Sequence, residues 1–389
     1  MTRIISPQNN YGRKMNVKLL DGFMDGLCDA GIPSGELMIK LDGETVYHRC
    51  VGYNDDEKTV PCNENDLYWL FSSTKVVTCI AAMQLLEEGK IALDDPVSKY
   101  LPAYEHLKVR SRDGTVTDAK NALLVKHLFT MTGGLSYDFR TENVKSASER
   151  STLGLVNAMA KDPLLFEPGT HFLYSLCHDV LGAVIEVAGE MRLRDYMKKR
   201  LFDPLEIEDM GFHPSAEQAK RIAPMYVYKN GAGISVRKPD NTNVFRLSPD
   251  YDSGGAGLFG SCQDYSKIIT ALSLGGTAKN GYRVLKDETL RMLRVNMLDG
   301  DPLEDFSVVK RYGYGWGLCC RVHINPALSL GKSPIGEFGW DSAGGAYSLI
   351  DPDNRLSVFY LQHIMDCLYS YDKLHPYLRN TVYKAVLGI

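Results

Sequence analysis

No stretch of the 389 residues is apolar for long enough to cross a bilayer, and the opening MTRIISPQNNYGRKMNVK lacks the apolar core of a secretory signal. A cytoplasmic chain with no membrane partner is the expectation. The net charge is only -4, too slight and of the wrong sign to draw the chain to nucleic acid or to an anionic membrane. Nine cysteines are scattered with no C-x-x-C pair, and nine histidines with no H-E-x-x-H. Adjacent Cys319 and Cys320 suit neither a mutual disulfide nor a zinc site. Free thiols in a reducing compartment are the economical reading, with no metal and no organic cofactor expected. Also missing are the phosphate loop G-x-x-x-x-G-K-[ST] and the G-x-S-x-G elbow of α/β-hydrolases. What remains, 44% hydrophobic and 24% charged, is the composition of an ordinary globular protein. Its length exceeds a usual single core, so one large or two closely packed domains are expected.

Local patterns outline the organisation. Val17, Leu20, Phe23, Met24 and Leu27 share one helical face. GELMIKLDGETVYHRCVGY then reads as two strands joined at Asp42-Gly43, and AYSLIDPDNRLSVFYLQ repeats that grammar near the C-terminus. A last helical segment carries Pro376 in its first turn. Between these ends lie helical runs at 75–88, 122–131, 151–160, 177–188 and 192–200, followed by a glycine-rich stretch from 224 to 260 with strand-like pieces. The predicted fold is α+β. One antiparallel sheet is built from both termini (1–71 and 260–389) with flanking helices, and a mostly helical domain is inserted at 72–259. A cleft at that junction is the place to look for function.

The segment LYWLFSSTKVVTCIAAMQLLEEG carries a serine and a lysine one helical turn apart at the head of an otherwise apolar run. With a helix starting at Ser72, Lys75 lies on the same side, and Ser72 sits beside unsatisfied N–H groups at the positive end of the dipole. An attacking oxygen and the oxyanion it creates are both favoured there. A buried lysine can give up its proton and serve as a base, which arginine cannot. The tetrapeptide S-x-x-K alone is weak, since the chain holds it five times, at Ser72, Ser235, Ser307, Ser329 and Ser370. The plain alternative is a helix cap with an outward lysine.

Five further pieces accompany the first in order: LFTMTGGLSYDF, PGTHFLYSLCHDVLG, GGAGLFGSCQDYSKI, YGYGWGL and GWDSAGGAYSLIDP. Together with YWLFSSTKVVT they resemble the serine β-lactamase and penicillin-binding-like superfamily, in its class C and family VIII carboxylesterase branch. The resemblance runs over nearly the whole chain and implies a β-lactamase/transpeptidase-like fold. It matches Ser72 to the acylated serine, Lys75 to its lysine and Tyr174 to the tyrosine that shuttles the proton. A phenol near neutrality needs about three units of depression, roughly 4 kcal/mol, and a neighbouring ammonium would favour its ionised form. Trp340, Asp341 and Ser342 align with the lysine-threonine-glycine triplet. Ala343 then supplies a backbone N–H that completes an oxyanion hole with that of Ser72.

Two departures bear on substrate. Trp340 stands where β-lactamases hold a carboxylate-binding lysine, and Leu176 where they hold a side-chain-binding asparagine. Penicillin recognition loses two polar contacts and an apolar ester pocket gains two walls. Asp341 is less expected, because a carboxylate beside an oxyanion hole opposes developing charge unless it points away or meets a cation. His178 is a further candidate at the cleft, a surface or capping role being the alternative. His127 reads as structural, and Gly133, Gly134, Gly254, Gly255 and Gly257 as turn-formers around the cleft. The implied activity is a serine hydrolase working through an acyl-enzyme on a small-molecule ester or amide, most simply a short-chain carboxylesterase. β-Lactamase, D-amino-acid peptidase, acyltransferase and non-turnover sensor remain as alternatives. The oligomeric state is not legible.

Overall fold

The computed structural model describes residues 15–309 and 312–389. The N-terminal segment read above for a secretory signal lies outside them up to Lys14, as does Lys310 of the Ser307 tetrapeptide. Helix α1 (Val17–Asp29) buries Leu20, Phe23, Met24 and Leu27, the face its periodicity predicts. Strands β1 (Ser34–Leu41) and β2 (Glu44–Gly52) follow, and the Asp42-Gly43 turn takes left-handed φ at both residues, 51° and 79°. That geometry matches the natural twist of the strands it joins.

Five further strands come from the C-terminal part: β3 (Tyr314–Trp316), β4 (Arg321–His323), β5 (Phe338–Gly339), β6 (Tyr347–Asp351) and β7 (Leu356–Leu361). They form one seven-stranded sheet in the order β3-β4-β5-β6-β7-β1-β2. Its ladders are antiparallel throughout, with Leu37 facing Tyr360 on one side and Arg49 on the other. The first and last thirds of the chain thus meet at the β7–β1 ladder, as the strand patterns predict.

The two sheet faces bury different halves of the core. Leu37, Ile39, Val358 and Tyr360 cluster with α1 and with α5 (His375–Val382), part of a helical stretch over 370–387. Met38, Phe359 and Leu361 join the larger cluster with the central helices α2 (Thr74–Glu87), α3 (Cys177–Gly189) and α4 (Cys262–Ser273). Tyr265 of α4 stacks on Phe359 at 4.1 Å between ring centres. Every residue of α2 from Thr74 to Leu85 is buried, as expected of a helix apolar nearly all round. The glycine-rich stretch holds Tyr226–Lys229 and Ile234–Arg237, paired as a hairpin, and Phe259–Gly260. This last pairs with both Tyr68–Trp69 and Met210–Gly211. Among the described residues no helix is long and apolar enough to cross a membrane.

Candidate active site

The short ladder between Trp69 and Phe259 delivers the chain to the head of α2. Phe71 then takes φ 42°, a left-handed conformation unusual for a buried aromatic residue. A non-glycine residue held there costs of order 1–3 kcal/mol, a form of strain that collects at functional sites. The strained step turns Ser72 into the single turn Phe71–Ser73, which runs straight into α2. No side chain caps this helix. The Ser72 side chain instead lies beside the phenols of Tyr174 and Tyr137, all three lining one cleft.

Lys75 is 1% exposed, and its Nζ donates to the Gly255 carbonyl at 2.8 Å. Gly255 has to be glycine: a Cβ there would sit 2.4 Å from Asp179 Oδ2 and 3.4 Å from the Lys75 ammonium. The ammonium lies 4.6 Å from the centre of the Tyr174 ring and 5.9 Å from that of Tyr137. Its attraction is therefore to the ring faces. Burial raises the Tyr174 phenol well above the ordinary tyrosine range, against hydrogen bonds from Ser72 and Trp340 that pull it down. Burial therefore favours the neutral phenol form of Tyr174. Tyr137 is pushed up to about 12 by the same burial, with Lys75 opposing.

Trp340 builds the wall beside this pair. Its indole Nε1 donates to the Tyr174 hydroxyl at 3.0 Å, and the two rings stack at 5.4 Å. Trp316 meets the indole edge-on at 4.6 Å. Gly339 lets the chain enter this wall: its φ is 151°, and a Cβ would fall 2.0 Å from the Ser348 carbonyl. Beyond Trp340 the chain turns tightly, Ser342 N–H donating to Ala346 O, and the Tyr371 hydroxyl donates to the Ser342 carbonyl at 2.8 Å. Among the described residues, the backbone N–H of neither Ser72 nor Ala343 finds an acceptor. Both residues line one cleft of about 370 Å³ with Tyr137, Tyr174, Trp340 and Asp341.

The Asp341 carboxylate has a guanidinium beside it and an imidazole nearby. It lies 3.5 Å from Arg321 Nη1 and 3.7 Å from His375 Nδ1. Arg321 is itself 3% exposed and pairs with the fully buried Glu337 at 2.7 Å. The negative charge next to the Ala343 turn is therefore directed into the sheet.

Two predicted site residues do not reach the cleft. Leu176 packs into the main core one residue before α3, because the turn that presents Tyr174 rotates the next-but-one side chain inward. His178 is fully buried in the first turn of α3, its Nε2 3.3 Å from the Phe129 carbonyl and 3.5 Å from Cys79 Sγ. Burial, then repulsion by Lys75, lowers it to about 3, so it is a neutral core residue rather than a cleft, surface or cap residue. His127 accepts from the Leu124 N–H and is lowered to about 4 by burial. Tyr137 and Tyr371 were not singled out from sequence. Tyr137 lies in the quoted piece LFTMTGGLSYDF, where only its place after the paired glycines marks it. Tyr371 lies in a terminal helical stretch with no local sign of a cleft.

A buried serine beside a phenol, with an ammonium against that phenol's ring and two N–H groups without an acceptor, is the equipment of acyl transfer. Comparison with known proteins agrees in kind. The family model described as Beta-lactamase matches residues 16–370. Protein Rv1367c of Mycobacterium tuberculosis is 31% identical over 359 residues, covering 87% of this chain and 88% of its own length. Esterase EstB of Burkholderia gladioli is 30% identical over 375 residues, covering 88% of this chain and 89% of its own. A solved structure described as EstCE1, a hydrolase with promiscuous acyltransferase activity, superposes with a TM-score of 0.80 at 24% identity, over 94% of this chain and 98% of the other. The chain belongs to the β-lactamase family. Within that family it is a serine hydrolase.

Proposed function

We propose that this protein is a carboxylesterase that cleaves small, short-chain esters through an acyl-enzyme on Ser72. The observation that carries the reading is the placement of the Ser72 hydroxyl against Tyr174, with Lys75 behind both, in a cleft shared with Ala343. Ser72 Oγ attacks the ester carbonyl when the Lys75–Tyr174 pair is one proton short, and the pair takes up the serine proton. The Ser72 and Ala343 N–H groups take the oxyanion. As the tetrahedral intermediate collapses, the pair returns the proton to the departing alkoxide, and water then releases the acid. Lys75 and Tyr174 act on the proton, and Trp340 holds the phenol in place.

The cleft supports esters over penicillins. Where β-lactamases hold a lysine, an indole faces the cleft, and among the described residues the guanidinium that lines it, Arg321, is engaged by Glu337 and Asp341. Trp340, Tyr137 and Phe306 supply apolar walls. The similarity to Esterase EstB points the same way. EstCE1 is described as having acyltransferase activity as well, so an added alcohol is expected to compete with water for the acyl group.

Hydrolysis of p-nitrophenyl butyrate by the wild type and by Ser72→Ala tests the reading. The variant is expected to lose at least about a thousandfold in kcat. Equal turnover by the two proteins sinks the role of Ser72. Activity on nitrocefin or D-amino-acid amides in place of esters would instead move the substrate class.

A further inference from the structure

A second cluster of reactive side chains lies on the β1–β2 hairpin, apart from the cleft. Glu36 and Cys50 are direct cross-strand partners, and His48 is two residues from Cys50. Alternate residues of a strand share a face, so all three point to one side of the sheet. One ligand-type atom from each lies within 4.8 Å of the others. The loop after β2 folds back over them: the Cys62 N–H donates to the Gly52 carbonyl at 3.0 Å. This brings the Cys62 thiol next to Cys50, with the Tyr68 hydroxyl 3.5 Å and the Gly35 carbonyl 3.9 Å from its sulfur. Glu64 of the same loop places Oε2 3.9 Å from His48 Nδ1.

Glu36 makes this arrangement unusual. It is fully buried, and Oε1 meets His48 Nε2 at 2.7 Å while Oε2 is buried with no hydrogen-bond partner. A buried carboxylate oxygen left without a partner is costly, and a fold keeps one where something else satisfies it. Carboxylate, imidazole and two thiols, drawn from a hairpin and the loop that covers it, form a donor set of one oxygen, one nitrogen and two sulfurs.

We propose that Glu36, His48, Cys50 and Cys62 form a zinc site. Two thiolates and an imidazole select a borderline-soft d10 cation over magnesium or calcium, and four donors suit its tetrahedral preference. Zinc takes its ligands at about 2.0–2.3 Å, so the Glu36, His48 and Cys50 donors, now within 4.8 Å of one another, need to close by only about an ångström, and the Cys62 thiol swings in from its contacts with Tyr68 and the Gly35 carbonyl. The ion replaces the proton shared between Glu36 Oε1 and His48 Nε2. His48 Nδ1 is then left to donate to Glu64, the outer carboxylate that orients a metal-bound imidazole. Both thiols lose their protons on binding, because the ligands are thiolates, so apparent affinity rises with pH. The ion ties the β2 edge to the following loop. It lies outside the ester chemistry.

The full-length protein, reduced and chelator-treated, is titrated with Co2+ and then with Zn2+. Expected are one equivalent bound, the d–d bands of tetrahedral cobalt with a thiolate charge-transfer band, and their loss when zinc displaces cobalt. Cys50→Ser with Cys62→Ser removes the charge-transfer band, and His48→Gln weakens zinc binding about tenfold or more, the least that disturbing such a site does. Unchanged far-ultraviolet circular dichroism shows that the variants fold. Absence of the charge-transfer band in the reduced wild type overturns the proposal without any variant. So does its persistence in the double serine variant. A Cys50–Cys62 disulfide formed on mild oxidation of a protein that bound no cobalt would also overturn it, and would make the pair a redox element.

Discussion

Lys75 follows Ser72 by one turn, yet its Nζ is held by the carbonyl of Gly255, from a distant part of the chain. The spacing of serine and lysine is legible because both lie on the same helical start. The anchoring of the lysine is not. Tyr174 shows the same division. The resemblance marks the residue, while its protonation state comes from burial and from Trp340, which meets it across 166 positions of chain. Tyr174→Phe removes the hydroxyl that carries the proton while leaving the ring stack intact. Its kcat on p-nitrophenyl butyrate is expected to fall by about 10²–10⁴, the usual range for general acid–base catalysis, with KM little changed. A rise in KM at constant kcat would assign the tyrosine to binding alone. Leu176 and His178 mark the limit of reading by spacing. A residue two or four places from a site residue faces the cleft or the core according to a local rotation that no pattern encodes.

Among the elements, α3 joins the Tyr174 turn to a carboxyl with an unusual proton affinity. Glu186, near its C-terminal end, accepts from the Leu193 N–H at 2.9 Å, and burial pushes it up to about 7. The folded state therefore holds a proton that the unfolded chain releases near its ordinary value of 4.5. The stability this contributes is present below about pH 4.5 and is lost as pH rises through about 7. Glu186→Gln, which keeps the acceptor and removes the charge, is expected to raise the melting temperature at pH 8 and leave it nearly unchanged at pH 5. Equal shifts at both pH values would show that ionisation is not involved. The strands follow a simpler logic. Asp42-Gly43 predicts its hairpin because the turn demands left-handed backbone that these residues accept. By contrast, β3 to β5 are two or three residues long, and such pieces carry too little alternation to be read as strands before their neighbours are known.

At the scale of the whole molecule, the two chain ends close one face of the sheet. Leu378 of α5 is fully buried in the cluster with Leu20, Phe23 and Leu27 of α1 and with Tyr360 of β7. Leu378→Ala is expected to cost about 2–5 kcal/mol, measured as a lower urea midpoint, because the surrounding helices cannot collapse into the space. The kcat of the folded fraction should stay at the wild-type value, since Leu378 is not among the residues that line the cleft. A fall in kcat without a fall in stability would link the terminal helix to the site directly, through Tyr371 and its hold on the Ser342 carbonyl. The same closure explains why the cleft and the hairpin cluster are separate places. The cleft belongs to the β5–β6 end of the sheet and the start of α2, whereas Glu36, His48 and Cys50 belong to the β1–β2 hairpin at the sheet's other end.

By itself the sequence determined the local elements with strong periodicity, the hairpin turns, the placing of Ser72 and Lys75 one turn apart at the head of a buried helix and, through six ordered pieces, the family. These are decided within a few residues of each other, or by patterns that survive as strings. Only the tertiary structure decided that Asp341 turns toward Arg321 and His375, that His178 is core, that Tyr137 and Tyr371 belong to the cleft, and that a strand pair and a distant loop bring Glu36, His48, Cys50 and Cys62 together. The reason is physical. Proton affinity, charge compensation and ligand geometry depend on which groups are brought close and stripped of water, and those neighbours come from parts of the chain that share no local pattern.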